Sequence, residues 1–171
     1  MAFYKYIKSH AEKNPDSAAI IEGDCTVTYE ELCEQVESFA AALSELPLNP
    51  KSKVGLLCLN QKEHLVAMFG CLLKGIPLIP FNFLLKPEDL AFITQDAGID
   101  TLIVDSAFVK PEVSPFFKFF SNKILIGPAD TDQVGEGTLR FEDFLKSGNK
   151  ENSQKKHARE PGIPDVILYT S

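Results

Sequence analysis

A chain of 171 residues with a formal net charge of −7 and 44% hydrophobic residues is long enough to bury one real core. The acidic balance argues against a nucleic-acid surface. No apolar run approaches the ~20 residues that span a bilayer, and the first residues lack the apolar segment of a signal peptide.

The first predicted element is a helix with Phe3, Tyr6, Ile7 and His10 or Ala11 on one face, closed by Asn14-Pro15. Residues 18–22 and 26–28 read as a hairpin around Gly23-Asp24. Thr28 and Glu31 have the spacing of a capping box. The helix they open carries Leu32, Val36, Phe39, Ala40 and Leu43 at helical spacing. An apolar run over 54–59 follows, then a cap made by Asn60 and Glu63. The next helix presents Leu65, Met68, Phe69, Leu72 and Leu73 and stops at Gly75, and a second apolar run covers 76–81. Strand, amphipathic helix and strand in this order make a parallel crossover unit, and runs that are apolar throughout belong to strands covered on both faces.

Pro87 opens a further helix with Leu90, Ile93 and Ala97 facing inward, and Gly98 ends it ahead of a strand over 101–104. The expected fold class is therefore α/β: a doubly wound, mostly parallel sheet with helices on both faces and a small N-terminal hairpin. Phe116, Phe117, Phe119 and Phe120 are read as packing residues, with an acyl-chain contact or a partner patch as alternatives. Residues 123–126 read as a fourth strand. Phe141, Phe144 and Leu145 suggest a short helix. The domain reading is an α/β subdomain over 1–146, a mobile polar linker over 147–163 and a strand over 164–171. A buried-type strand emerging last from a linker leads us to expect an incomplete sheet, and hence a piece of something longer.

Few residues suggest chemistry. Cys25, Cys33, Cys58 and Cys71 have no paired spacing and are read as reduced thiols from a cytoplasmic compartment. His10, His64 and His157 share no ligand spacing, so no metal site is expected, and His64 is read as exposed. Lys74, in the last turn of its helix, is read as a solvated cation favouring the helix C-terminus, with phosphate binding as the alternative. Glu30-Glu31 and Glu88-Asp89 are explained by capping and the helix dipole. Asn82 is read as a turn former, with a contact near a ligand as the alternative.

Three stretches together resemble the adenylate-forming enzymes, the AMP-dependent synthetases that include the acyl-CoA ligases. They are Val27-Thr28-Tyr29-Glu30-Glu31-Leu32, Leu73-Lys74-Gly75-Ile76-Pro77-Leu78-Ile79-Pro80-Phe81-Asn82 and Asp165-Val166-Ile167-Leu168-Tyr169-Thr170-Ser171. The last resembles the strand that leads into that family's glycine-rich phosphate loop. Two departures stand out: Gly75 follows Lys74 without the usual small residue, and Lys86 replaces a threonine or serine before Pro87-Glu88.

The resemblance implies an ATP-dependent ligase that activates a carboxylic acid, expected to be a fatty acid, as acyl-AMP and passes it to coenzyme A, with Mg²⁺ at the phosphates. Asn82, where peptide-synthetase domains usually have aspartate, favours acyl or aryl acids. The cofactor-binding candidates are Thr170 and Ser171, at the start of the phosphate loop. No catalytic residue is assigned, since the family's lie beyond Ser171, and the chain alone is expected to be inactive. Truncation would leave apolar surface or a sheet edge uncovered, so the chain alone is also expected to self-associate. The alternative from another class is a non-catalytic, doubly wound binding or interaction module.

Overall fold

The computed structural model describes residues 2–158 and 161–170. Helix α1 (Ala2–Lys13) leads into an antiparallel hairpin of β1 (Ala18–Glu22) and β2 (Cys25–Thr28). Helix α2 (Tyr29–Leu43) begins with both halves of the expected capping box. The Glu31 amide donates to the Thr28 hydroxyl at 3.2 Å, and the Thr28 amide donates to the Glu31 carboxylate at 2.8 Å. Then follow β3 (Val54–Leu57), α3 (Lys62–Lys74), β4 (Leu78–Pro80), α4 (Pro87–Ala97) and β5 (Thr101–Asp105). A single helical turn, α5 (Ser114–Phe117), precedes β6 (Asn122–Ile126), β7 (Thr138–Arg140) and α6 (Phe141–Ser147).

The five strands β3 to β7 are all parallel, in the order β4-β3-β5-β6-β7. The chain runs from β3 outward to β4, then crosses back over β3 to β5, so the winding reverses between β3 and β5. Residues of one strand alternate between two apolar clusters, as the pleat requires. On β5, Ile103 joins the cluster under α1, α2, α3 and α6, whereas Leu102 and Val104 join the cluster under α4 and α5. The doubly wound expectation therefore holds, with helices packed on both faces.

Several local readings are corrected. Tyr4, not Tyr6, faces the core from α1. Its hydroxyl donates to Glu37 at 2.8 Å, and Tyr6 is 73% exposed. The side chain of Phe3 lies outside the described residues. The inward face of α3 is Val66, Ala67, Gly70, Cys71 and Leu73, while Leu65, Met68, Phe69 and Leu72 are half-buried. The cause is close approach to α2. A Cβ on Gly70 would come within 2.4 Å of Phe39 Cδ1, and Phe39 is itself fully buried between Phe141 and Phe144. Small residues let the two helices meet, so the larger side chains turn aside.

Asn60 does not cap α3. Gln61 occupies the N-cap without a side-chain bond, and the Lys62 amide donates instead to Glu22 of β1 at 3.2 Å. Gly75 ends α3 as expected, with φ 74°. The Phe116, Phe117 and Phe120 rings are buried, as read, but Phe119 is partly exposed. Strand β7, which carries no apolar run, was not anticipated.

Candidate functional site

Residues 165–167 meet the free edge of β4 at Leu78, and 168–170 continue from there. Val166 pairs with Leu78 in parallel. The Leu78 amide donates to the Asp165 carbonyl at 3.0 Å, and the Ile167 amide donates to the Leu78 carbonyl at 2.9 Å. The ribbon alternates like a strand. Ile167 and Tyr169 pack on the cluster that contains Phe81, Leu90 and Ile93, whereas Val166 and Leu168 face outward, 36% and 70% exposed. The Tyr169 hydroxyl donates to Asp96 of α4 at 2.5 Å; burial, then this bond, pushes its pKa up to about 12.

Because the ribbon is parallel to β4, it delivers Thr170 to the carboxyl end of the sheet, the end at which open α/β sheets bind ligands. Thr170 is exposed there. Ser171 lies outside the described residues.

The strand ends beside it carry three arrangements. After β4, the Asn82 carboxamide oxygen accepts the Leu84 amide at 3.0 Å, and its carbonyl accepts the Leu85 amide at 3.1 Å, so Asn82 forms the turn. That turn sets Phe83 against Phe108, with ring centroids 5.8 Å apart. At the reversal between β3 and β5, the Gln61 amide nitrogen donates to Asp105 at 2.8 Å and lies 3.2 Å from the Cys58 sulfur. Asp105 also accepts the Ala107 amide at 2.8 Å. This bridge ties the start of α3 to the end of β5, beside the point where the winding reverses. Burial pushes the Cys58 thiol up to about 12, which favours its protonated form. The sequence gives no signal for this group, because its partners lie 44 residues apart.

Two other readings change. Lys74 is not solvated: it is only 3% exposed, and its ammonium donates to the carbonyls of Asn152, at 3.0 Å, and Lys155. Burial, then the Lys155 charge, pulls its pKa down. His64 is half-buried rather than exposed. Burial lowers its imidazole pKa, and a hydrogen bond with the Leu59 backbone offsets part of that shift. Cys33, Cys58 and Cys71 are buried and Cys25 is exposed, all as free thiols. Among the described residues, no helix is long and apolar enough to cross a membrane.

An open parallel sheet with helices on both faces is the frame of the doubly wound α/β proteins, which bind ligands at the carboxyl ends of their strands. Residues 7–171 match the model of the AMP-binding enzymes, and the chain belongs to that family. It is similar to a fatty acid–[acyl-carrier-protein] ligase of Streptomyces coeruleorubidus, 28% identical over 163 residues, which cover 95% of this chain and 29% of that protein. Fatty acyl-CoA synthetase B of Dictyostelium discoideum is 25% identical over 175 residues, covering 96% of this chain and 26% of that one. Among solved structures, coronafacic acid ligase of Pectobacterium brasiliense has the same fold, with a TM-score of 0.83 at 12% identity over 97% of this chain and 33% of that one. An anthranilate CoA ligase in complex with anthranoyl-AMP gives 0.74 at 23% identity, over 84% of this chain and 27% of that one. The chain thus spans about a third or less of the length of these relatives.

Proposed function

We propose that this chain works as the amino-terminal part of a longer, cytoplasmic AMP-forming ligase. That enzyme would join a fatty acid to ATP, releasing pyrophosphate, and then transfer the acyl group from AMP to the thiol of coenzyme A. The observation that carries the reading is the placement of residues 165–170. They lie parallel to β4, with the exposed Thr170 at the carboxyl end of the sheet. The fatty-acid preference is supported by the names of relatives that match almost the whole chain.

The chemical need is a leaving group. A free carboxylate would have to expel oxide, whereas acyl-AMP expels AMP, so a thiol can displace it. Fixed donors aimed at the phosphates serve that step best. In this chain the Thr170 hydroxyl, with that of Ser171, is assigned to donate to a phosphate oxygen, and Tyr169 anchors the ribbon by its bond to Asp96. Among the described residues, no three His, Cys, Asp or Glu side chains converge as a metal-ion site would require.

The test uses the polypeptide at the length of its relatives, with ATP, coenzyme A and a panel of fatty, aryl and short-chain acids. Pyrophosphate release is expected with fatty acids above the rest, and none is expected from residues 1–171 alone. No release with any acid would support the non-catalytic module instead, and release led by aryl acids would overturn the substrate.

A further inference from the structure

Lysine at a helix C-terminus normally extends into water, where its charge meets the helix dipole at little cost. Lys74 forgoes that. An ammonium taken out of water needs hydrogen-bond partners for its protons, and those Lys74 finds are main-chain carbonyls of residues 152 and 155, 78 and 81 positions away. The same residue is engaged a second time, since its own carbonyl accepts the His157 amide at 2.8 Å. The ring of His157 in turn bonds the Asn49 carbonyl at 2.8 Å. The strap that residues 148–157 form across α2 and Lys74 is also pinned where it begins. Gly148 crosses α2 so closely that a Cβ there would lie 2.2 Å from the Ala42 backbone nitrogen.

Four residues after Lys74, Leu78 takes the next part of the same chain: its amide and carbonyl hold Asp165 and Ile167. Residues 74–78 are themselves fixed. The Ile76 amide donates to the Cys71 carbonyl at 3.0 Å, and the Pro77 carbonyl accepts the Val54 amide at 3.0 Å. One short, rigid stretch therefore grips the returning chain twice, at 152–157 and at 165–167.

The geometry points to Lys74 as a positioning residue for the edge ribbon: its ammonium fixes the strap, and the strap fixes where the ribbon that carries Thr170 meets β4. The link from Lys74 to nucleotide rests on the proposed ligase reading; the link from Lys74 to the ribbon does not. Methionine keeps the length and apolar stem of the side chain but leaves the two carbonyls unpaired.

The experiment compares Lys74→Met with Gly70→Ala, a change in the same helix away from the strap, in the full-length polypeptide. Amide exchange is followed in peptides covering 149–158, 165–170 and 101–105. Lys74→Met is expected to speed exchange about tenfold in the first two windows and leave 101–105 unchanged. Gly70→Ala is expected to act on all three alike. In an active enzyme, Lys74→Met should raise KM for ATP more than it lowers kcat. An unchanged 165–170 window, a uniform rise in all three windows for Lys74→Met, or an unchanged KM would each overturn the proposal. The exchange result stands even if no acid releases pyrophosphate, so its failure is separable from failure of the ligase reading.

Discussion

Gly70 and Gly148 matter for the atoms they lack. A methyl on Gly70 meets the ring of Phe39, which can move only by disturbing Phe141 and Phe144. Gly70→Ala should therefore cost about 1–3 kcal/mol by urea unfolding, the usual range for overpacking. On Gly148 the obstacle is α2 backbone, which cannot rotate away, so Gly148→Ala should cost more than Gly70→Ala in the same assay. His64 adds a pH dependence. Burial lowers its pKa in the folded state, so the unfolded chain takes up a proton that the folded chain resists. Its share of the stability is complete above the ordinary histidine value of about 6.5 and is lost as pH falls below it towards the folded pKa. Replacing it, as in His64→Phe, should reduce the stability difference between pH 7 and pH 5; an undiminished difference would refute the assignment. Neither the burial of Lys74 nor that of His64 was legible in the sequence. Local rules place a lysine in a last turn and a histidine in a first turn in water, and only the returning strap and the surrounding packing override them.

At the scale of elements, what could be read was what local chemistry decides. The Thr28–Glu31 box starts α2 where its spacing says, and Thr28→Ala should cost about 1 kcal/mol of stability in a urea titration. Helix α3 was placed correctly, but its inward face was not. Nearly every turn of it is apolar, so periodicity gives a weak direction, and steric fit to α2 chooses the small residues. Its cap was missed for a related reason: Glu22 reaches it from 40 residues away. Strand β7 has only three residues, with Leu139 partly exposed. It is fixed by pairing with β6 and by Arg140, whose guanidinium donates to the carbonyls of Gly127 at 3.0 Å and Ala129 at 3.1 Å. None of these contacts has a sequence signature.

Over the whole molecule, the succession of capped helices and apolar runs was enough to give a doubly wound parallel sheet, and three short stretches were enough to give the family. The candidate site was legible only as a direction, a ribbon heading for the carboxyl end, because Thr170 is exposed and no spacing in the sequence shows what stands beside it. The outward side of the ribbon, with Val166 and Leu168, is apolar. We therefore expect residues 1–171 alone to self-associate through that edge, giving a mass above monomer by light scattering; a monodisperse monomer would contradict this.

The placement of residues 165–170 beside β4 supports both the functional proposal and the role given to Lys74. Its most direct test is the scalar coupling through the hydrogen bond between the Ile167 amide nitrogen and the Leu78 carbonyl carbon, measured by NMR on the 171-residue chain under conditions that keep it dispersed. A resolved coupling and a slowly exchanging Ile167 amide are expected. No coupling, with an amide that exchanges as fast as an unstructured chain, would contradict that placement.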